Sequence, residues 1–233
     1  MLGQHAYTSD QLGYLLYLPP NYGQDPQRRW PLVLFLHGVG ERGYDPELVT
    51  SQGLPKLAHL GQQFDFILLS PQCPPDKYWS DIYAPVLALL NKVQGTYQVD
   101  GRRIYLTGIS MGGYGAIGLA QEDPGHFAAL VPIAGGYTWD PNITAAGHYT
   151  GDLNAPIPDR VCVLKQIPAW FFHGLQDQII PPSESQRVVE ALKACGSQPI
   201  PKLTLYDTAD HVRSWELAYA EKELYDWLLS QSR

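Results

Sequence analysis

The strongest indication of the fold is the segment Ile104-Tyr105-Leu106-Thr107-Gly108-Ile109-Ser110-Met111-Gly112-Gly113-Tyr114-Gly115-Ala116. An apolar run with a strand pattern leads into the pentapeptide G-x-S-x-G, and a run of small residues with a helix pattern leads out of it. Glycine is needed on both sides of Ser110 because a tight turn from strand to helix leaves no room for side chains there. Such a turn lifts the hydroxyl of Ser110 above the sheet at a helix N-terminus. The alternative is a glycine-rich turn with an incidental serine, and the flanking strand and helix patterns disfavour it.

Similar apolar runs recur along the chain and alternate with amphipathic stretches. The predicted strands are Tyr14–Leu18, Leu32–Leu36, Phe66–Leu69, Ile104–Thr107, Leu130–Ile133, Ala169–Phe172 and Lys202–Tyr206. The predicted helices are Glu47–Leu60, Asp81–Thr96, Gly112–Glu122, Ser183–Cys195 and Ser214–Leu229. Several runs are almost wholly apolar, which is typical of parallel strands covered on both faces. The pattern predicts an α/β fold with a mainly parallel sheet, helices on both faces, and an antiparallel N-terminal edge formed by a hairpin of the first two runs.

The segment Tyr137–Ile167 interrupts this alternation. It contains proline, glycine and scattered polar residues without a sustained period. A loop of this length is either functional or mobile, and we expect it to pass over one end of the sheet as a small lid. Since no repeat, low-complexity tract or linker is found, residues 1–233 are predicted to form one domain.

Composition excludes several classes of function. The chain has 233 residues and a formal net charge of −7, from 16 Lys and Arg against 23 Asp and Glu. Hydrophobic residues at 45% and charged residues at 17% indicate a globular protein and not a disordered one. Nucleic-acid binding is not expected, because phosphate neutralisation needs a clustered basic face and no Lys/Arg-rich stretch is found. A membrane span is not expected either, since no window approaches 18 uninterrupted apolar residues.

The cysteines and the N-terminus bear on the compartment. Cys73, Cys162 and Cys195 are far apart and include no CxxC pair. Buried thiols in a reducing compartment are the favoured interpretation, and a single disulfide is left open. The N-terminal region has no basic leader, and its apolar patch Leu12–Leu18 stops at Pro19-Pro20, so no cleavable signal peptide is expected. A cytoplasmic location is therefore predicted.

A serine hydroxyl needs a base to become nucleophilic, and the base needs an acid to orient it. For this turn the expected order along the chain is Ser, then Asp or Glu, then His. Asp177 follows a predicted strand and the dipeptide His173-Gly174, and His211 follows the last predicted strand. Ser110, Asp177 and His211 are therefore the predicted triad. A surface loop for His211 and a helix cap for Asp177 are the alternatives.

Other residues near His211 offer competing interpretations. Asp207 and Asp210 are rival acids, but both are close to His211 in sequence and are not expected to reach behind its imidazole. A metal site formed by these three residues is a further alternative. No matching ligand motif occurs elsewhere, so no metal is predicted.

An oxyanion hole is predicted from the stretch His37-Gly38-Val39-Gly40, which follows the apolar run Leu32–Leu36. Glycines there allow the loop to turn backbone N–H groups toward the serine. The two donors would be the amides of Val39 and of Met111, the residue after the nucleophile. The alternative is an ordinary glycine turn, braced by His37 within the loop.

These motifs resemble those of the α/β-hydrolase superfamily. Leu34–Gly43, Ile109–Gly113, His173-Gly174 with Asp177, and His211 look most like the small phospholipase/carboxylesterase and feruloyl-esterase-like group, over about residues 14–229. The resemblance implies a serine esterase with the residue roles given above and no cofactor. Related chains often have Ala or Leu in place of the β-branched Val39, so a narrower pocket is expected here.

The expected reaction is two-step acyl transfer on a small-molecule ester with a short or aromatic acyl group. The aromatic residues nominated for the substrate pocket are Trp79, Trp139, Trp215, Tyr78 and Tyr137, although core packing would explain each of them as well. The same machinery would also cleave a peptide amide, and a non-catalytic binding scaffold is a third alternative. A homodimer is left open.

Overall fold

The computed structural model describes residues 2–9, 11–137 and 149–233. The strands are β1 Gly3–Thr8, β2 Gly13–Leu18, β3 Trp30–Leu36, β4 Ile67–Pro71, β5 Val99–Ile109, β6 Ala129–Ile133, β7 Trp170–Gly174 and β8 Lys202–Tyr206. The α-helices are α1 Gly53–His59, α2 Tyr83–Thr96, α3 Met111–Glu122, α4 Ser183–Ala194, α5 His211–Ala220 and α6 Lys222–Ser230. Shorter 3₁₀ helices cover Val39–Glu41, Pro46–Ser51, Trp79–Asp81 and Asp159–Leu164.

These strands form one sheet in the order β1-β2-β4-β3-β5-β6-β7-β8. The pairings from β4 through β8 are parallel, and β2 is antiparallel to both β1 and β4. The predicted α/β fold with a mainly parallel sheet and an antiparallel N-terminal edge is confirmed. The carboxyl ends of the parallel strands share one edge of the sheet, so the loops that follow them come together there.

The predicted hairpin between the first two apolar runs is wrong. β2 pairs with β1 on one side and with β4 on the other, and β3 lies beyond β4. The sequence did not predict β1 because its residues are only partly buried at the edge of the sheet and lack a continuous apolar signal.

Alternate side chains of the strands enter two apolar clusters, one on each face of the sheet. Along β3, Leu32 and Leu34 belong to a cluster that includes residues of α2, α3 and α4, whereas Val33 and Phe35 belong to one that includes residues of α1, α5 and α6. All four are fully buried. Burial on both faces explains why this strand reads as an uninterrupted apolar run in the sequence.

Two predicted helices are each divided. The stretch predicted as one helix over Glu47–Leu60 is a 3₁₀ helix followed by α1. Gly53, at the junction, has φ +61°, and a Cβ there would lie 2.5 Å from the ring of Phe35. The last predicted helix is α5 followed by α6, because Glu221 adopts an extended conformation between them.

Two of the three cysteines are bonded to each other. Cys162 and Cys195 form a disulfide with a Cα–Cα distance of 5.3 Å, which joins the 3₁₀ helix Asp159–Leu164 to the end of α4. The prediction of free thiols is therefore wrong for these two residues, since their spacing of 33 residues gave no sign that the fold brings them together. Cys73 is a free, buried thiol, and burial raises its pKa to about 12.

Only part of the predicted lid lies within the described residues. Residues 138–148 lie outside the described residues, and the remainder of the Tyr137–Ile167 segment includes the 3₁₀ helix Asp159–Leu164. Within the described ranges, none of the helices combines the length and the apolar character that crossing a membrane requires.

Candidate active site

Ser110 lies in the turn between β5 and α3 and has φ +54° and ψ −119°. This left-handed conformation is strained for a residue with a side chain, and it persists only where the surroundings impose it. A Cβ on Gly108 would lie 2.1 Å from the carbonyl oxygen of Gly112, and a Cβ on Gly112 would lie 1.9 Å from that of Leu36. The two glycines therefore allow the close packing that holds Ser110 in this conformation.

Asp177 lies on the loop after β7, with its carboxylate buried. One carboxylate oxygen accepts the backbone N–H groups of Ile179 and Ile180, both at 2.9 Å. The other is 2.6 Å from Nδ1 of His211 and 3.2 Å from Nε2 of His173. Burial by itself raises the pKa of Asp177, but hydrogen bonds from the two histidines outweigh it and hold the pKa well below its usual range. The carboxylate is therefore ionised at neutral pH.

His211 is the first residue of α5 and lies between Asp177 and Ser110. Its Nε2 is 2.9 Å from the hydroxyl oxygen of Ser110. Because a carboxylate only accepts hydrogen bonds, Nδ1 carries the proton donated to Asp177, and Nε2 is left to accept the hydroxyl proton of Ser110. The ring also packs edge-to-face against Trp215, at a centroid distance of 5.0 Å. His211 thus lies within hydrogen-bond distance of both other side chains of the predicted triad, although 67 residues separate Ser110 from Asp177 in sequence and 34 separate Asp177 from His211.

The two rival acids lie elsewhere. Asp210 is exposed and caps α5, where its side chain accepts the N–H of Arg213 at 2.8 Å. Asp207 is exposed as well. Among the described residues, no group of three or more His, Cys, Asp or Glu side chains is arranged to hold a metal ion.

The loop after β3 lies beside the serine. A Cβ on Gly38 would lie 3.6 Å from Cβ of Ser110. His37 is fully buried, its Nε2 accepts the backbone N–H of Cys73 at 2.9 Å, and its Nδ1–H donates to the carbonyl of Gly38 at 2.6 Å. In a planar trans peptide the C=O and N–H point in opposite directions, so this bond directs the N–H of Val39 away from His37.

Burial lowers the pKa of His37 to about 4, so that the ring is neutral at pH 7. This agrees with its hydrogen bonds, which leave a proton on only one of the two nitrogens. The indole N–H of Trp79 donates to the carbonyl of His37 at 3.0 Å and further fixes the loop.

Glu41 is a buried carboxylate in the same loop, and sequence reasoning assigned it no role. Burial raises the pKa of its carboxyl group, although the backbone N–H groups of Gly38 and Glu41 and the hydroxyl of Ser51 act in the opposite direction. Its position three residues after Gly38, in the stretch Gly40-Glu41-Arg42-Gly43, was the available signal.

The aromatic residues nominated for the pocket differ in burial. Trp79 is 1% exposed and packs between the ring of His37 and Gly115 of α3, so it braces the loop after β3. Trp215 is 5% exposed and lines a side cavity of about 220 Å³ behind His211. Tyr78 and Tyr137 are half-buried, and Trp139 lies outside the described residues.

A serine in a strand–turn–helix, with a histidine and a carboxylate at neighbouring strand ends, is typical of α/β-hydrolases. The fold and the family matches place the chain in this class. Within that class, the chain belongs to the prolyl oligopeptidase family, which residues 77–233 match, and to the family described as "Putative esterase", which residues 6–146 match. Both matches include Ser110; the first also includes Asp177 and His211, and the second the loop after β3.

Individual relatives are more distant. A poly(3-hydroxyoctanoate) depolymerase from Pseudomonas fluorescens is 26% identical over 190 residues, which cover 72% of this chain and 63% of the relative. The solved structure of a thermostable esterase superposes with a TM-score of 0.74 at 30% identity and covers 99% of this chain and 63% of the esterase. A ferulic acid esterase has a TM-score of 0.68 at 16% identity, over 97% and 96% of the two chains, and so shares the fold. This chain thus spans less than two thirds of the length of the first two proteins.

Proposed function

We propose that the chain is a serine carboxylesterase that cleaves carboxylic esters through an acyl-enzyme. The observation that carries the proposal is the continuous hydrogen-bonded series from Asp177 through His211 to Ser110, with distances of 2.6 and 2.9 Å. A serine hydroxyl bonded to a neutral imidazole, itself bonded to a buried carboxylate, is the arrangement that activates serine toward a carbonyl carbon.

In the first step, Nε2 of His211 takes the hydroxyl proton of Ser110 while the serine oxygen attacks the ester carbonyl carbon. The carbonyl electron pair moves onto its oxygen, which the N–H groups of Val39 and Met111 would stabilise, each contributing about 3 kcal/mol. His211 then gives the proton to the departing alkoxide as the C–O bond breaks. Water attacks the acyl-enzyme by the same route in reverse and releases the acid.

The roles of Val39 and Met111 are supported by local geometry. Met111 is the first residue of α3, and the first N–H groups of a helix have no partner within the helix. The bond from His37 to the carbonyl of Gly38 orients the adjoining peptide, and the loop lies against Ser110. The helix N-terminus adds a favourable partial positive charge next to a developing oxyanion.

For substrate class we propose esters with short or aromatic acyl groups. Val39, 43% exposed in the loop beside the serine, supports an apolar mouth, and the half-buried Tyr78 and Tyr137 are the aromatic residues that we nominate to line it. One relative is named as a poly(3-hydroxyoctanoate) depolymerase, so a polyester of hydroxy acids is a further substrate to test.

The experiment is a panel of esters with increasing acyl length, an aryl ester of an aromatic acid and a film of poly(3-hydroxyoctanoate). The Ser110→Ala variant should stay folded and lose about 10⁵–10⁶-fold in rate. Ser70→Ala is the matched control: Ser70 is buried in β4, and its hydroxyl has no hydrogen-bond partner among the described residues. Failure of an organophosphate to label Ser110 would contradict the nucleophile, and comparable turnover of long-chain triglyceride emulsions would contradict the substrate class.

A peptide amide is the second candidate substrate. The match of residues 77–233 to the prolyl oligopeptidase family favours it, since that match includes all three residues of the predicted triad. Parallel assays on an aryl ester and a chromogenic peptide separate the two. We expect a higher kcat/KM for the ester, and a preference for the peptide would reverse the order of the two proposals.

The cytoplasmic location stays a prediction, and the bond between Cys162 and Cys195 weighs against it. Disulfides persist mainly in oxidising compartments. The number of free thiols in the protein from its natural source, counted as the cysteines that an alkylating reagent labels during denaturation, tests the point. One free thiol would contradict the cytoplasmic prediction, and three would support it.

A further inference from the structure

His173 is a second histidine at the acid of the proposed site, and the proposed mechanism does not use it. It lies in β7, is fully buried, and its Nε2 is 3.2 Å from the same oxygen of Asp177 that His211 contacts. The same nitrogen is 3.0 Å from the carbonyl oxygen of Ile180. Both neighbours can only accept hydrogen bonds, so Nε2 carries a proton.

The other ring nitrogen also faces a group that can accept. Nδ1 of His173 is 2.7 Å from the hydroxyl oxygen of Ser185 on α4. That hydroxyl is 2.9 Å from the carbonyl oxygen of Gly135, which has no proton to give. The hydroxyl proton of Ser185 is therefore directed to Gly135, and its oxygen is left to accept a proton from Nδ1.

We propose that His173 is a positioning residue that carries protons on both ring nitrogens, so that a buried imidazolium is bonded to the carboxylate of Asp177. The inference rests on the proposed function, since it concerns how the acid of that site is held. It also explains how the buried charge of Asp177 is balanced. In the resting enzyme His211 is neutral, and a buried carboxylate without a cationic partner is costly.

Other charged groups in this region are already paired. Glu184, next to Ser185 on α4, is buried and bonded to Arg187 at 2.6 Å and to the hydroxyl of Tyr114 of α3 at 3.3 Å. On β8, the residue paired with Gly174 is Tyr206, whose hydroxyl is 2.6 Å from a carboxylate oxygen of Glu221.

The consequence for catalysis concerns His211. A positive charge next to Asp177 weakens the attraction of that carboxylate for a proton on the imidazole of His211. His211 then stays neutral, and able to take the proton of Ser110, down to lower pH. Removing the charge should move the acid limb of the kcat/KM profile to higher pH by about one pH unit.

The direct test is nuclear magnetic resonance of the whole protein with ¹⁵N-labelled histidine at neutral pH. We expect one buried histidine with protons on both nitrogens, assigned to residue 173 by the loss of its signals in His173→Gln. A wild-type spectrum in which His173 carries a single N–H overturns the proposal. If His173→Gln does not fold, variants of the other six histidines assign the signals by elimination.

The kinetic test uses two variants and a control on an aryl ester. His173→Gln removes the charge but keeps a donor near Asp177, and Ser185→Ala removes the acceptor of Nδ1–H while leaving His173 in place. Both variants should move the acid limb of the kcat/KM profile to higher pH. If His173 had only a structural role, the variants would instead lower the rate equally at all pH values. His126→Gln, which breaks a partly exposed bond to Asp123, should leave the profile unchanged.

The outcomes separate this inference from the proposed function. A wild-type protein that cleaves no ester would refute the proposed function, while the spectrum would still report the protons of His173. An active enzyme whose acid limb stays in place in both variants would refute the role of His173 alone.

Discussion

The structure contains two His-Gly dipeptides at the ends of two parallel strands, and their surroundings differ. His37 and His173 are both fully buried, and both are bonded to groups beside the candidate active site. His37 receives the backbone N–H of Cys73 on one nitrogen and can therefore donate only from the other. His173 faces acceptors on both nitrogens. The same dipeptide thus holds a neutral ring next to the loop of the proposed oxyanion hole and, in our proposal, a charged ring next to Asp177.

The comparison shows that a local motif does not determine the charge of its histidine. His37 orients an uncharged peptide group, for which one N–H is sufficient. His173 contacts an ionised carboxylate, next to which a second proton is stabilised. The following predictions test this difference, beginning with the largest expected effect.

The largest effect is expected for Asp177→Asn, which removes the charge on which the difference depends. An amide of the same size can present its N–H to His211 and favour the wrong tautomer, so we expect kcat to fall by about 10⁴-fold with the fold retained. Asp123→Asn is the matched control, since Asp123 is bonded to His126 at 2.9 Å away from the site. If Asp177→Asn kept one tenth of the wild-type activity, Asp177 would not be the acid.

A smaller effect is expected for His37, whose protonation makes the free energy of unfolding depend on pH. Its pKa of about 4 in the folded protein lies below the ordinary value of 6.5, so the unfolded chain binds more protons between these values. The contribution of His37 to the free energy of unfolding is therefore fully present above pH 6.5. It decreases as the pH falls toward 4, by about 3 kcal/mol in total. Urea unfolding at a series of pH values should show a flatter dependence over this window for His37→Asn than for wild type.

The His173→Gln variant serves as the contrast in the same measurement. The pH dependence of its free energy of unfolding between pH 4 and 6.5 should not be flattened, because His173 in our proposal is already protonated in the folded protein at neutral pH. Equal flattening in both variants would remove the distinction between the two histidines.

The smallest effect distinguishes the glycines of the two dipeptides. A Cβ on Gly174 would lie 2.2 Å from the carbonyl oxygen of Ala209, whereas one on Gly38 would lie 3.1 Å from the movable carboxylate of Glu41. Gly38 also has an ordinary extended conformation, with φ −75°. We expect Gly174→Ala to lower the free energy of unfolding by about 2–3 kcal/mol and Gly38→Ala by about 1 kcal/mol or less.

Chemical denaturation measures both values. Gly38→Ala should in addition lower kcat, because its methyl group would disturb the bond between Glu41 and the loop beside Ser110. Equal stability losses in the two variants would show that the backbone next to Gly174 can move as freely as the side chain of Glu41.

Much of the fold was predictable because its signals are local. Apolar runs on both sides of the G-x-S-x-G turn predicted parallel strands and the α3 helix, and the structure has both. The order of Ser110, Asp177 and His211 after three strands, now β5, β7 and β8, predicted that they meet. His211 lies within hydrogen-bond distance of both other residues, while their catalytic roles remain a proposal. Strand β1 and the division at Gly53 were missed, because edge pairing and the contact with Phe35 depend on distant residues.

Glycine spacing and hydrophobic runs act over a few residues, so the amino-acid sequence predicted the strand–helix alternation, the serine turn and the strand ends at which Asp177 and His211 lie. The tertiary structure alone decided the bond between Cys162 and Cys195, the burial of Trp79 under the loop after β3, and the hydrogen-bond partners of the two buried histidines. Proton placement depends on which donors and acceptors a ring meets. For His37 and His173 those include groups 36 and 12 residues away in sequence, which come within reach only when the sheet has formed.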